Sequence, residues 1–337
     1  MKKFAALALS LAMILSLAAC GGTAAPSGSA SATPSSSAST APSATTPATS
    51  DGTPLKIGIS LPNMTNVFFL QIKEGLESAL TGPNDEVIVM DANGDQNKQM
   101  NDVTDMINQG CNVIGLSPIN SEGVRATLEA CQEAGVPVIA FNVGVAESSK
   151  SLVASTIVSD NEASGHMCAQ ALAESLGGKG KVVEITFSTT TTCYLRQKGF
   201  EDEMAANYPD IEIIQSKDVE KATSDYSQPI MVDFINANPQ IDGVFTINDP
   251  TARGAIAALK EAGMIDKVKV VSVDGSAEGK DFIRAGEMVA SAAQEPVLIG
   301  QKTAETAYAL LAGQEVEKDV IIPMYIIDAT NVDTVAK

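Results

Sequence analysis

From Leu55 onward the chain alternates between short β-branched apolar runs and longer segments whose apolar residues recur every three or four positions. The runs Leu55 to Ser60, Val87 to Met90, Val113 to Leu116 and Pro137 to Phe141 predict strands. Helices are predicted between them: one with Phe69, Ile72, Leu76 and Leu80 on one face, one over Gln96 to Asn108, and one over Glu122 to Ala134. A second series follows, with strands near Lys181 to Thr186, Ile211 to Gln215, Val244 to Ile247 and Val268 to Val273. Its helices fall near Glu162 to Leu176, Leu195 to Asn207, Ser227 to Asn236 and Pro250 to Ala262. Repeated strand-helix alternation predicts an α/β fold, a parallel, doubly wound sheet covered on both faces. Two such series predict two lobes of one architecture with a cleft between their strand ends.

The segment from Gly243 to Gly275 shows how polar side chains reach that cleft. Each of its apolar runs ends in polar residues, Asn248 and Asp249 after one and Asp274 after the next. Ligands of open parallel sheets collect above such carboxyl ends. Asp249 precedes Pro250, which reads as a helix N-cap, whereas Asn248 and Asp274 read as ligand contacts. Phe68 and Phe69 are adjacent on a helix start and diverge, so one of them is expected in the core.

The first 54 residues follow a different pattern. Met1 to Cys20 carries two lysines, an apolar run from Phe4 to Ala19 and small residues before a cysteine, the shape of a secretory signal. Leu17-Ala18-Ala19-Cys20-Gly21 looks like a bacterial lipobox, which implies cleavage before Cys20 and lipidation of its sulfur. The apolar run is short for the ~20 residues a membrane-spanning helix needs. Residues 21–54 are almost entirely Ser, Thr, Ala, Pro and Gly and read as a disordered tether.

Composition narrows the function. The 337 residues carry a formal charge of -19 with no basic face, which excludes nucleic acid as the partner. Aromatic residues make up 4% and Trp is absent, so few side chains can stack on a ligand. The five cysteines form no CxxC pair and no disulfide framework; Cys111, Cys131 and Cys168 fit buried positions, and Cys193 is placed at the cleft. Oxygen ligands alternate over Asp91 to Asn97, yet the spacing of a calcium loop is not met, and Asp95 capping the next helix explains the run. His166 has no catalytic company and reads as a surface or packing residue, and Gly177 to Lys181 reads as a turn. No cofactor and no metal are expected.

A set of residues in order then carries a resemblance: Thr65 to Phe69 after the first strand, Asp95 to Gly110 leading into Leu116-Ser117-Pro118, Gly135 to Ile139, Ser159-Asp160-Asn161, Arg196 with Gly199-Phe200, Asn248-Asp249, Val273-Asp274-Gly275 and Gln294. Together they resemble the type I periplasmic binding proteins of the ribose- and galactose-binding group, receptors of ABC sugar importers. The resemblance implies two lobes joined by a three-strand hinge, with crossings near Ser155 to Ser159, Gln294 to Pro296 and Val320 to Pro323. It divides the body into an N-terminal lobe, 55–157 plus 295–320, and a C-terminal lobe, 158–294 plus 321–337. Ligand contacts carried over by position are Asn66, Phe68, Phe69, Asn248, Asp274 and Gln294. Where ribose and galactose receptors carry Asp-Arg this chain has Asn142-Val143, and where they carry an arginine it has Tyr194. Exchanging two guanidinium forks and a carboxylate for a phenol, an isopropyl group and an amide changes which hydroxyl pattern is satisfied.

The expected function is that of a lipid-anchored, extracytoplasmic, monomeric solute receptor working with an ABC permease on a small neutral sugar, polyol or cyclitol. The alternative is a receptor presenting a signal ligand, an autoinducer or a nucleoside, to a sensor or transporter. An enzyme is not expected: Ile59 to Met64 after the first strand lacks the G-x-G-x-x-G turn of a dinucleotide site. A transcription regulator would need a helix-turn-helix ahead of the body, where the signal and tether stand instead.

Overall fold

The computed structural model describes residues 53–335. The signal segment, Cys20 and most of the tether lie outside the described residues.

The first series builds β1 (Lys56–Leu61), α1 (Val67–Ser78), β2 (Glu86–Asp91), α2 (Gln96–Asn108), β3 (Val113–Leu116), α3 (Arg125–Glu133), β4 (Val138–Phe141) and β5 (Ser155–Ser159). The second comprises α4 (Asn161–Leu176), β6 (Gly180–Thr186), α5 (Thr191–Asn207), β7 (Ile211–Asp218), α6 (Ser224–Ala237), β8 (Gly243–Thr246), α7 (Asp249–Glu261), β9 (Lys269–Asp274), α8 (Ala277–Arg284) and β10 (Ala290–Ala293). The chain ends with α9 (Pro296–Leu311), β11 (Asp319–Ile322) and β12 (Tyr325–Asp328). Two six-stranded sheets result, ordered β11-β5-β4-β3-β1-β2 and β12-β10-β9-β8-β6-β7. Among the described residues all strand pairings are parallel except that of β12, which runs antiparallel to β10. The chain leaves the first sheet after Ser159, comes back to it after β10, and passes to the second again between Ile322 and Tyr325.

Alternation along β1 explains the first lobe. Ile57, Ile59 and Leu61 turn to one face and meet Ile72 and Leu76 of α1 with Ile299 and Ala304 of α9. The opposite face packs Ile114, Leu116 and Ala140 against Val103, Met106 and Leu128. In the second lobe, Val183 and Ile185 of β6 meet α6 and α7, while Val182 faces α4 and α5 with Phe200 stacked on Phe245 at 4.3 Å. The central strands of both sheets are therefore covered on both faces.

Local differences from the sequence expectation have physical causes. The α5 helix starts at Thr191 rather than Leu195, because the Thr190 hydroxyl caps it by accepting the Cys193 N–H at 3.3 Å. The third helix starts at Arg125 rather than Glu122, because Asn120 Oδ1 takes the amides of Glu122 and Gly123 in a turn.

Candidate ligand site in the interlobe cleft

Two helix N-caps open the site. Asn66 caps α1, its Oδ1 accepting the Phe68 N–H at 3.0 Å. Asn248 caps α7, its Oδ1 accepting the Thr251 N–H at 2.9 Å, and the Thr251 hydroxyl donates back to the Asn248 carbonyl at 2.8 Å. This corrects the expectation that Asp249 is the cap. Asp249 is the first helical residue and fully buried, its carboxylate accepting from the Ser276 N–H at 2.9 Å, the Ser276 hydroxyl at 2.7 Å and the Ser291 hydroxyl at 2.9 Å. With each cap's oxygen held by a helix amide, the Nδ2 group is the part of each side chain left for a ligand, apart from a long 3.4 Å contact of Asn248 Nδ2 with the Ala222 carbonyl.

Asp274 closes β9 with φ at 130°, a backbone conformation rare for a residue with a side chain. Its Oδ1 accepts from Gln294 Nε2 at 2.7 Å and lies 3.9 Å from Arg196 Nη1. Burial pushes the Asp274 carboxyl up to about 7, the nearby Asp249 charge adds to the rise, and Arg196 and Gln294 oppose it. Asp249 is likewise raised by burial, against the pull of its serine donors. Gln294 is held at both ends, since its Oε1 accepts from the Ser159 hydroxyl at 2.8 Å.

Arg196 is carried by α5 and is 3% exposed. Its Nε donates to Asn161 Oδ1 at 2.9 Å and its Nη1 to the Ile247 carbonyl at 2.8 Å. Close helix contact makes this reach possible. A Cβ on Gly165 would stand 2.1 Å from the Arg196 carbonyl, and one on Gly199 would stand 2.1 Å from the Glu162 carbonyl.

These groups surround a cavity of about 440 Å³, within the ~300–1,000 Å³ of small-molecule sites. Asn66, Phe68, Phe69, Asn142, Asn248, Asp274 and Gln294 all line it. Asn142 sits at φ 60° and is 7% exposed. Phe68 and Phe69 do not divide into one ligand-facing and one core ring, as expected. Both line the cavity and both pack in the first-lobe core, edge to face at 5.6 Å. Tyr194 is the sequence-derived candidate that stands apart, 51% exposed and absent from the lining. The reason is helical phase: Thr192, Cys193 and Arg196 hold the cavity-facing side of α5, which leaves Tyr194 on its outer side.

Several lining residues are not contacts the sequence pattern offers, Arg196 and Phe187 among them. Arg196 was noted only as a family marker, and Phe187 follows β6 at a strand end, the position that singled out Asn248 and Asp274. The run from Asp91 is a turn and a cap: Asp91 Oδ1 accepts the Asn93 N–H at 2.7 Å, and Asp95 Oδ1 accepts those of Asn97 and Lys98 at 2.8 and 3.1 Å. Among the described residues no cluster of His, Cys, Asp or Glu is arranged to hold a metal ion. His166 pairs with Glu203 at 3.2 Å.

Comparison with known proteins follows the same lines. Residues 57–315 match the family described as periplasmic binding protein domain, and the chain belongs to that family. It is 30% identical to the ribose import binding protein of Bacillus subtilis over 272 residues, covering 80% of this chain and 85% of that protein. It is 30% identical to the xylitol-binding protein of Mycolicibacterium smegmatis, covering 82% and 78%. Among solved structures it resembles an ABC transporter solute binding protein from Mycobacterium smegmatis with bound glycerol, with a TM-score of 0.77, 31% identity and coverage of 83% and 96%. The chain is thus a solute-binding protein of the sugar and polyol ABC importer family, and these relatives are binding proteins rather than enzymes.

Proposed function

We propose that this protein is the lipid-anchored, extracytoplasmic receptor of an ABC importer, and that it binds a small neutral sugar, polyol or cyclitol between its lobes. The observation that carries the ligand class is the donor set: amides of Asn66, Asn142, Asn248 and Gln294 converge with the single deep carboxylate of Asp274 around one cavity. A hydroxyl both donates and accepts, so adjacent hydroxyls match a carboxylate flanked by amide N–H groups. Phe68, Phe69 and Phe187 offer apolar faces for ring C–H groups. The ribose, xylitol and glycerol named for the relatives are all neutral and polyhydroxylated, which supports the same class here.

The mechanism is binding and release. Ligand hydroxyls contact Asn66 and the phenylalanines from the first lobe and Asn248 and Asp274 from the second, so binding favours closure about the three crossings. The closed form is then the one a permease engages. The short sequence Leu17 to Gly21 supports anchoring through Cys20, and the chain acts as a monomer.

The test is thermal unfolding of the purified chain against pentoses, hexoses, polyols, inositols and nucleosides. A compound binding only the folded state at 100 times its Kd adds about 2.7 kcal/mol. A shift with one neutral polyhydroxylated compound supports the proposal. A shift with a nucleoside or signal molecule alone favours a signal receptor, and no shift with any compound overturns the ligand class.

A further inference from the structure

Across the mouth of the cleft the lobes are joined by the chain's own groups. After β4 the backbone makes a γ-turn: the Val143 N–H returns to the Phe141 carbonyl at 2.6 Å, and Asn142 takes φ 60° between them. This strained turn sends two first-lobe carbonyls toward the start of α5. Asn142 O accepts from the Thr192 hydroxyl at 2.9 Å, and Gly144 O from the Thr191 hydroxyl at 3.1 Å. Ser121, 3% exposed in the loop after β3, completes the join. Its hydroxyl donates to Gly144 O at 2.7 Å and accepts the Thr191 N–H at 3.0 Å. That amide belongs to the first turn of α5, where no intrahelical acceptor exists, so a side chain of one lobe caps a helix of the other.

We infer that Ser121 and Thr191 form a latch that positions the closed cleft, holding the lobes together independently of ligand contacts. Neither residue lines the cavity, so the latch acts on the closing equilibrium and not on recognition. The strain at Asn142 fits this role, since a non-glycine residue keeps such a backbone only where the surroundings enforce it. The consequence is a protein that populates its closed form before a ligand arrives and binds from it with less rearrangement. The inference deepens the receptor reading and depends on it for the meaning of closure.

Small-angle X-ray scattering of the purified chain, without any added compound, tests it. The wild-type profile is expected to match the closed cleft, and the Ser121→Ala/Thr191→Val double variant to widen toward an open one. Each lost bond shifts the closed-to-open ratio roughly two- to tenfold. Thr191→Ser keeps the hydroxyl and is expected to scatter like the wild type, which separates the latch from general packing at α5. Unchanged scattering in a folded double variant overturns the inference, as does a wild-type profile that already matches an open cleft. No ligand enters this measurement, so its failure leaves the proposed ligand class standing, and failure of the compound panel leaves the latch standing.

Discussion

Gln294 donates to Asp274 at 2.7 Å while accepting from Ser159 at 2.8 Å, so a single amide ties the cavity's buried carboxylate to the strand on which the chain first leaves the first sheet. Ser159 ends β5 and Gln294 follows β10, two of the three passages between sheets. A group that orients the carboxylate lining the cavity is thereby also part of the hinge.

Replacing Asp274 by Asn is expected to weaken ligand binding by about 10- to 150-fold, the worth of a hydrogen bond to a charged group. The fold should survive, because the exchange removes the like-charge repulsion between Asp274 and the buried Asp249. Isothermal titration with the compound selected by the panel reads the affinity. Wild-type affinity in the Asn variant would remove Asp274 from the site.

Asn248 has two separable tasks. Asn248→Ser keeps a hydroxyl that can cap α7 but lacks the Nδ2 donor, so it should keep its melting temperature and lose affinity. Asn248→Ala should lose affinity and about 1 kcal/mol of stability as well. Parallel unfolding and titration of the two variants check this; equal stability in both would show that the cap is dispensable.

Tyr194→Phe and Tyr194→Ala are expected to bind ligand as the wild type does, within about twofold, since the side chain is 51% exposed on the outer side of α5. A tenfold loss in the Ala variant would mean that the ring reaches the ligand after all.

Glu184 is fully buried in β6, with Ser216 and Glu201 as polar neighbours. Burial pushes its carboxyl up to about 8, and the Glu201 charge adds to the rise. The folded state therefore holds a proton that the unfolded chain has released, and stability falls as pH rises from about 4.5 to about 8. Glu184→Gln should match the wild type near the acid end of that window and exceed it by on the order of 2–4 kcal/mol above it. Denaturant unfolding at both ends measures the difference. A constant gap at both pH values would assign the effect to packing instead of charge.

Much of this protein is legible in its chain because period and polarity are local. β-branched runs of four to eight residues between helical repeats can be buried only as central strands of covered parallel sheets, and the polar residue ending each run then has to face the cleft, as Asn248 and Asp274 do. The roles of neighbouring residues were not legible. Whether Asn248 or Asp249 caps α7 depends on whether the Asp249 carboxylate finds donors elsewhere, and those come from Ser276 and Ser291, 27 and 42 positions further on. Whether Tyr194 or Arg196 faces the cavity depends on the rotation of α5, set by the contact of Gly165 and Gly199 with the neighbouring helix backbones. The antiparallel β12 and the join of Ser121 to Thr191 likewise arise between segments far apart in the chain. Sequence alone determined the elements, their layering and the edge at which the site would form, since these follow from burying apolar side chains. Only the tertiary structure decided which atom each polar residue spends on the fold and which it leaves for a ligand, because that choice rests on partners brought together by folding.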